Sequence, residues 1–263
     1  MIDTIPNLHT MDTGQCFPFW LYEKVDPNEL GGGTGERDAH GYRRREAITE
    51  DALRAYQSAF GENVTRDDMF HYFYGLLHLP AYREQFAANL RKELPRIPLP
   101  VEPGHFHILV QAGRTLGDWH LGYDHIDPWP LEFETGGWEP QGGHMPEDWF
   151  RVTKMKHPGS GQNKDLSRIF YNSHITVSRI PDAAWGYIVN GRPALKWVIE
   201  RQAVTTDKAS GIVNDANRYA NETVGDPAYP LKLFARVIRV AIETQNIIAE
   251  LPNPKWRELQ TSG

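Results

Sequence analysis

The chain has 263 residues, 40% of them hydrophobic and 24% charged, with a formal net charge of −6. That length can bury a full core as one domain or as two closely packed ones, and the overall sign argues against simple nonspecific attraction to nucleic acid. The single cysteine, Cys16, excludes an internal disulfide and a multi-cysteine zinc site; no apolar run is long enough to span a membrane and the N-terminus has no signal-peptide architecture, so a cytoplasmic setting is expected.

In chain order, Cys16 to Tyr22 is an apolar patch that reads as a strand entering the core. Residues 26–41 form a breaker-rich loop. Its Gly31 to Gly35 run lacks the lysine and hydroxyl of a phosphate-binding loop and reads as a linker. Arg43, Arg44 and Arg45 precede a helix predicted from Thr49 to Phe60. Thr65 with Asp68 forms a capping-box start for the next helix, whose buried stripe includes Met69, Phe70, Phe73 and Leu76. Pro80 restarts the chain, and Tyr82, Phe86 and Leu90 continue a helical hairpin that reads as scaffold. Four prolines between Pro95 and Pro103 end it.

His105 to Val110 is predicted as a strand and Thr115 to Leu121 as a short helical segment. Residues 124–149, rich in Pro, Gly, Trp and acid, read as an irregular excursion. Strands are predicted at Phe150 to Met155, Ile169 to Asn172 and Ile175 to Val177. Tyr187 to Val189 is a further strand, followed by an Asn190-Gly191 turn and a helix with Pro193 at its first position. From Thr205 to Arg218 the chain becomes a dense run of short hydrogen-bonding side chains. Such a run either caps and turns its own backbone or forms a binding surface on a rigid scaffold. Asp226-Pro227 opens a long final helix with an apolar face from Phe234 to Leu251. The expected fold class is α+β: a mixed sheet, a helical hairpin scaffold and a long C-terminal helix. Residues 1–263 are expected to form a single domain, subdivided if at all into a mainly helical 1–100 and a mixed 101–263.

Charge is unevenly distributed. Residues 101–150 carry net −8 and residues 151–200 carry net +5. Blocks of opposite sign fit either a polarised molecule with one phosphate-facing side or plain solvated surface.

Catalytic signatures are absent: there is no nucleotide-binding glycine loop, no H-E-x-x-H and no G-x-S-x-G. The Pro-Pro-aromatic tetrapeptide of adenine methyltransferases and the Asp/Glu-x-Lys tripeptide of metal-dependent nucleases are missing as well. His105, His107, His120 and His125 with Asp124 offer a rival reading as a metal hydrolase, although their spacing matches no ligand template. Another rival is a protein-interaction or scaffold module docking through residues 124–149.

Several segments, taken together and in order, resemble one family. They are FHYFYGLLHLPAYREQFAANLRKELPRIPLP (Phe70 to Pro100), QAGRTLGDWHLGYD (Gln111 to Asp124), VTKMK (Val152 to Lys156), KDLSRIFYN (Lys164 to Asn172), ITVSRIP (Ile175 to Pro181), VNGRPALKWVIERQ and DKASGIVNDAN. The chain resembles the C-terminal target-recognition domain of the type ISP restriction–modification enzymes and related adenine-methyltransferase restriction proteins. Two positions depart from that pattern: Ala216, where Pro is commoner, and Pro193, where a small hydroxyl residue is. The resemblance implies a noncatalytic module that recognises double-stranded DNA. It also implies that an adenine methyltransferase, a translocating ATPase and a nuclease lie on other parts of the same or a companion polypeptide. No cofactor is then expected in this chain; S-adenosylmethionine, ATP and Mg belong to those other domains.

DNA reading needs cations for phosphates and Arg, Asn, Gln or Ser for base edges. Lys154, Lys156, Lys164, Arg168, Lys196 and Lys208 are candidates for the first role. Asn172, Arg192, Ser210, Asn214, Asn217 and Arg218 are candidates for the second. Asn and Ser also serve turns, so part of this set is expected to fold the loop instead of reading DNA.

Overall fold

A computed structural model describes residues 1, 17–24, 39–136 and 148–257. The chain divides into two compact units. One comprises Met1–Gly117 with Leu251–Gly263, the other Asp118–Glu250.

The first unit is mainly helical. β1 (Trp20–Lys24) and β2 (Tyr42–Glu46) pair as an antiparallel hairpin. α1 (Glu50–Phe60) starts at Thr49, whose hydroxyl accepts from the Ala52 N–H. α2 (Arg66–His78) starts at Thr65 with both halves of the expected capping box in place. Pro80 opens α3 (Pro80–Gln85), which α4 (Ala87–Leu90) follows. The predicted loop at 26–41, with its glycine run, lies mostly outside the described residues, as does Cys16.

The strand predicted at His105 to Val110 is instead part of α5 (Pro103–Leu121). Pro103 suits a first helical position, and the buried residues Phe106, Leu109, Val110, Gly113, Leu116 and Gly117 recur at helical spacing. The β-branched character of Ile108 and Val110 is outweighed by that longer periodic face. α5 meets α2 through glycine. A Cβ on Gly113 would lie 1.8 Å from the His71 carbonyl oxygen, and one on Gly75 would lie 2.3 Å from that of Leu109. Only hydrogen fits at this crossing. Phe60 stacks on Phe106 at 4.3 Å between ring centroids within the aromatic core. The chain re-enters this unit at Leu251. Main-chain bonds Val101 N–H to Lys255 O and Arg257 N–H to Leu99 O, each 2.8 Å, add a returning segment to it.

The second unit is built around α8 (Tyr229–Ala249), the expected long final helix, whose Phe234, Ile238 and Ala241 are fully buried. α6 (Ala194–Arg201) packs on it through Leu195 and Val198, with Pro193 one residue ahead of the helix. The sheets are small and antiparallel. β3 (Glu132–Glu134), β4 (Ile169–Phe170) and β5 (Thr176–Ser178) run in the order β3-β5-β4. β6 (Ile188–Val189) and β7 (Arg192–Pro193) flank the Asn190-Gly191 turn, where both residues have positive φ, 49° and 73°. That is the backbone a tight two-residue hairpin requires, and Asn-Gly supplies it at little cost. β8 (Val204–Thr206) and β9 (Val213–Asp215) form another hairpin, followed by α7 (Ala216–Tyr219). Residues 137–147 of the predicted excursion lie outside the described residues.

Candidate nucleic-acid interface

The strand predicted at Phe150 to Met155 does not form. Residues 148–150 form a turn closed by the Arg151 N–H on Asp148 O at 2.9 Å, and residues 151–156 join no ladder apart from an isolated bridge between Lys156 and Phe170. Side chains satisfy much of their backbone instead. Asn172 Nδ2 donates to the carbonyls of Trp149 (2.9 Å) and Arg151 (3.1 Å), and the Tyr171 hydroxyl donates to Phe150 O at 2.6 Å. Asn217, only 4% exposed, clasps Val152 on both sides: its Oδ1 accepts from the Val152 N–H at 2.8 Å and its Nδ2 donates to the Val152 carbonyl at 2.7 Å. Val204 N–H then donates to Thr153 O at 2.9 Å, and Lys156 and Phe170 exchange main-chain bonds of 3.0 and 2.8 Å. The strip is fixed with Val152 and Met155 buried and with Arg151, Lys154 and Lys156 exposed.

The strip lies between two other candidate-bearing elements. On one side is β4, preceded by Arg168 and followed by Asn172. On the other is the β8–β9 hairpin, anchored by the Val204–Thr153 bond and by Arg151, whose Nη2 lies 3.0 Å from Asp215 Oδ2. The Asp215 carboxyl also accepts from the Asn217 N–H at 2.9 Å and from its Nδ2 at 2.7 Å. Partial burial works to raise that carboxyl, and the bonds from Asn217 and Arg151 outweigh it, leaving it below the usual carboxylate range.

At the hairpin's far end the turn is tied by Asp207. Its Oδ1 accepts from the Ser210 N–H and hydroxyl, both at 2.8 Å, and from the Ala209 N–H at 3.1 Å. These bonds, the Ser210 N–H foremost, hold the Asp207 carboxyl below its ordinary value. Gly211, at φ +71°, closes the turn by donating to Asp207 O.

The candidate residues fall into three groups. Lys154, Lys156, Lys164, Lys196 and Lys208 are exposed and form no ion pair among the described residues; Asn214 is exposed, and its amide bonds to no side chain or backbone group among them. Asn172, Ser210 and Asn217 are occupied in holding backbone, as the turn propensity of Asn and Ser predicts. Arg168, Arg192 and Arg218 face carboxylates: Glu134 at 2.5 Å, Glu200 at 2.6 Å and Glu222 at 3.0 Å. Arg192 also lies over the Trp197 ring at 4.5 Å.

The charge blocks meet within the sheet. Glu132 and Glu134 of the acidic stretch pair with Arg179 and Arg168 of the basic one across β3, β5 and β4. Part of the sequence-level contrast is therefore cancelled locally, and the unpaired lysines carry the remaining positive charge.

The histidines do not assemble. His105 and His107 are two residues apart on α5 and so point to different faces, while His120 bonds to the Thr244 hydroxyl at 2.9 Å. Among the described residues no group of three His, Cys, Asp or Glu side chains is placed to hold a metal ion. Among them, too, no helix is long and apolar enough to cross a membrane.

Sequence reasoning read residues 205–218 as a polar loop and missed the ribbon. The signal was present: β-branched Val204-Thr205-Thr206 and Ile212-Val213 flank a turn containing Asp207, Ser210 and Gly211. It also omitted Arg151, whose role depends on Asp215 being 64 positions away in sequence.

Several solved structures are similar to this chain, three of them as follows. One is the ATP-dependent Type ISP restriction-modification enzyme LlaBIII bound to DNA, at 32% identity over 91% of this chain, with a TM-score of 0.72. Another is a nuclease-deletion mutant of the Type ISP enzyme LlaGI in complex with a DNA substrate mimic, at 38% identity over 82% of this chain and a TM-score of 0.63. The third is a DrdV–DNA complex, at 33% identity over 96% of this chain and a TM-score of 0.71. The present chain spans 14%, 17% and 23% of those three chains, respectively. No curated protein matches it. The family model described as the Type ISP C-terminal specificity domain matches residues 1–233. The segments quoted from Phe70 to Asn217, the helical scaffold and the clasped strip thus have a common explanation: this chain belongs to the Type ISP C-terminal specificity domain family.

Proposed function

We propose that this chain is the DNA target-recognition module of a Type ISP restriction–modification enzyme. In this reading it holds a duplex in place for an adenine methyltransferase, with a translocating ATPase and a nuclease supplied by the same or a companion polypeptide. S-adenosylmethionine, ATP and Mg act on those other domains, and the assembly works in the cytoplasm. Family membership and the DNA-bound state of the three similar structures support this assignment.

The observation that carries it on this chain is the fixed strip 149–156, with unpaired Lys154 and Lys156 flanked by the hairpin bearing Lys208 and Asn214. Unpaired lysines on a rigid backbone can neutralise phosphates without first breaking an ion pair. Lys164 and Lys196 extend the phosphate-facing set. Arg168, Arg192 and Arg218 join it by exchanging a carboxylate for a phosphate. Asn172, Ser210 and Asn217 act by holding the recognition backbone in place.

The test is a duplex titration of the 263-residue chain over a salt series, using a site selected from a randomised pool and a scrambled control. Binding should prefer the selected duplex, and log K should fall linearly with log salt. Replacing Lys154, Lys156 and Lys208 with alanine should make that slope shallower by about three. Equal affinity for selected and scrambled duplexes, or a slope indifferent to these lysines, would remove the assignment.

A further inference from the structure

The β8–β9 hairpin is exposed along its length. Every residue from Thr205 to Asn214 is exposed, so neither face of this ribbon packs on the rest of the chain. Ile212 and Val213 are 60% and 58% exposed, high values for adjacent aliphatic side chains. A free two-stranded hairpin is only marginally stable in water. This one is secured at both ends, by Arg151–Asp215, Val204–Thr153 and the Asn217 clasp at its base and by Asp207 at its turn.

We infer that this ribbon enters the DNA major groove and reads bases with the face carrying Thr205, Ile212 and Asn214. The inference rests on the target-recognition reading above and adds the groove, the face and the residues. A two-stranded β-ribbon fits the major groove of an undistorted duplex, which is about 12 Å wide, whereas the minor groove at about 6 Å admits one only where the duplex is widened and bent. The pairing register sets the faces. Thr205 lies opposite Asn214, and strand alternation places Ile212 on that same side. The other face begins at its base with Val204 and Asp215, both half-buried, and Asp215 is tied to Arg151. The Thr205–Asn214 face is bare from its first pair onward.

The chemistry on that face is complementary to an adenine–thymine step. The uncommitted Asn214 amide can donate to the ring nitrogen and accept from the exocyclic amine of adenine on the major-groove edge. Ile212 supplies the apolar surface that a thymine methyl group contacts, and Thr205 adds a hydroxyl beside Asn214. Lys208, at the turn and without an ion pair among the described residues, is placed for a backbone phosphate. Ser210 is a positioning residue, since both of its Asp207 bonds serve to shape the turn.

The experiment uses the 263-residue chain and the duplex selected above. Thymines in the site are replaced one at a time by uracil, and adenines by the deaza analogue that lacks the major-groove ring nitrogen. One uracil substitution should weaken binding about fourfold, the worth of one buried methyl, and Ile212→Ala should abolish that sensitivity. Asn214→Ala should cost about tenfold or more and make the chain indifferent to one deaza-adenine. Both variants should melt with the parent chain, because neither side chain packs on the fold. If both retain full site preference, or if only minor-groove base changes affect binding, the ribbon assignment fails while target recognition stands. If no duplex is preferred over the scrambled control, both readings fail.

Discussion

The two units secure their polypeptide by opposite means. In the first, regular helices satisfy their own backbone, and α5 lies so close to α2 that Gly75 and Gly113 leave no room for a side chain. In the second, the strip leading to Lys156 has no regular partner, and Asn172, Tyr171 and Asn217 stand in for a neighbouring strand. The difference bears on how polar residues are interpreted. Where backbone is irregular and must still be rigid, amide side chains are consumed internally. An asparagine in such a stretch is therefore as apt to be a framework residue as a candidate reader, and burial separates the two kinds: Asn217 is 4% exposed, while Asn214 is open to solvent.

The sharpest way to break this contrast is to add one methyl group to the helical unit. Gly113→Ala places a carbon against the His71 carbonyl and should destabilise the chain by about 3 kcal/mol, read as a lower urea midpoint. An unchanged midpoint would mean that the helices separate easily and that the close crossing is dispensable. Next in size is Asn217→Ala, which leaves the Val152 N–H and carbonyl without their side-chain partners and should cost about 2 kcal/mol. Its exposed counterpart Asn214→Ala should leave the melting temperature unchanged and alter only DNA preference. Equal melting shifts for the two would erase the distinction between framework and reader. Thr65→Ala, which removes half of a capping box, should cost about 1 kcal/mol in the same measurement.

The smallest effect expected is a pH-dependent loosening of the hairpin. Asp207 and Asp215 both lie below the usual carboxylate range in the folded chain. A depressed carboxyl stabilises the fold fully above its unfolded value, about 3.9 for aspartate, and that contribution is lost as pH falls through the folded value. Amide exchange in residues 204–215 should therefore accelerate at acid pH before exchange in α2 or α5 does. Asp207→Asn should flatten part of that response.

The helical unit was largely legible in the sequence. Thr65 with Asp68 marked the start of α2, and Met69 and Leu76 marked its buried stripe, because these signals are local and periodic. His105 to Val110 misled because six residues of β-forming character are too short a window to reveal a 19-residue helix. The second unit was less legible for a different reason. Nothing near Val152 announces that its partner is Asn217, 65 residues onward. Nor does the composition of residues 101–150 and 151–200 show that Glu134 finds Arg168. The family resemblance identified the family, while tertiary partnerships determined which of the candidate side chains remain available.

The returning segment Lys255–Arg257, bonded to Leu99 and Val101, gives the scaffold a discontinuous sequence. Its closing piece is synthesised only after the whole second unit, so a chain ending at Gly117 would lack Leu251 and Trp256 from its apolar cluster. Residues 118–250 are in turn a single insertion with both connections made to one unit. That arrangement lets residues 118–250 be replaced as one segment, with the scaffold sequence on either side left untouched.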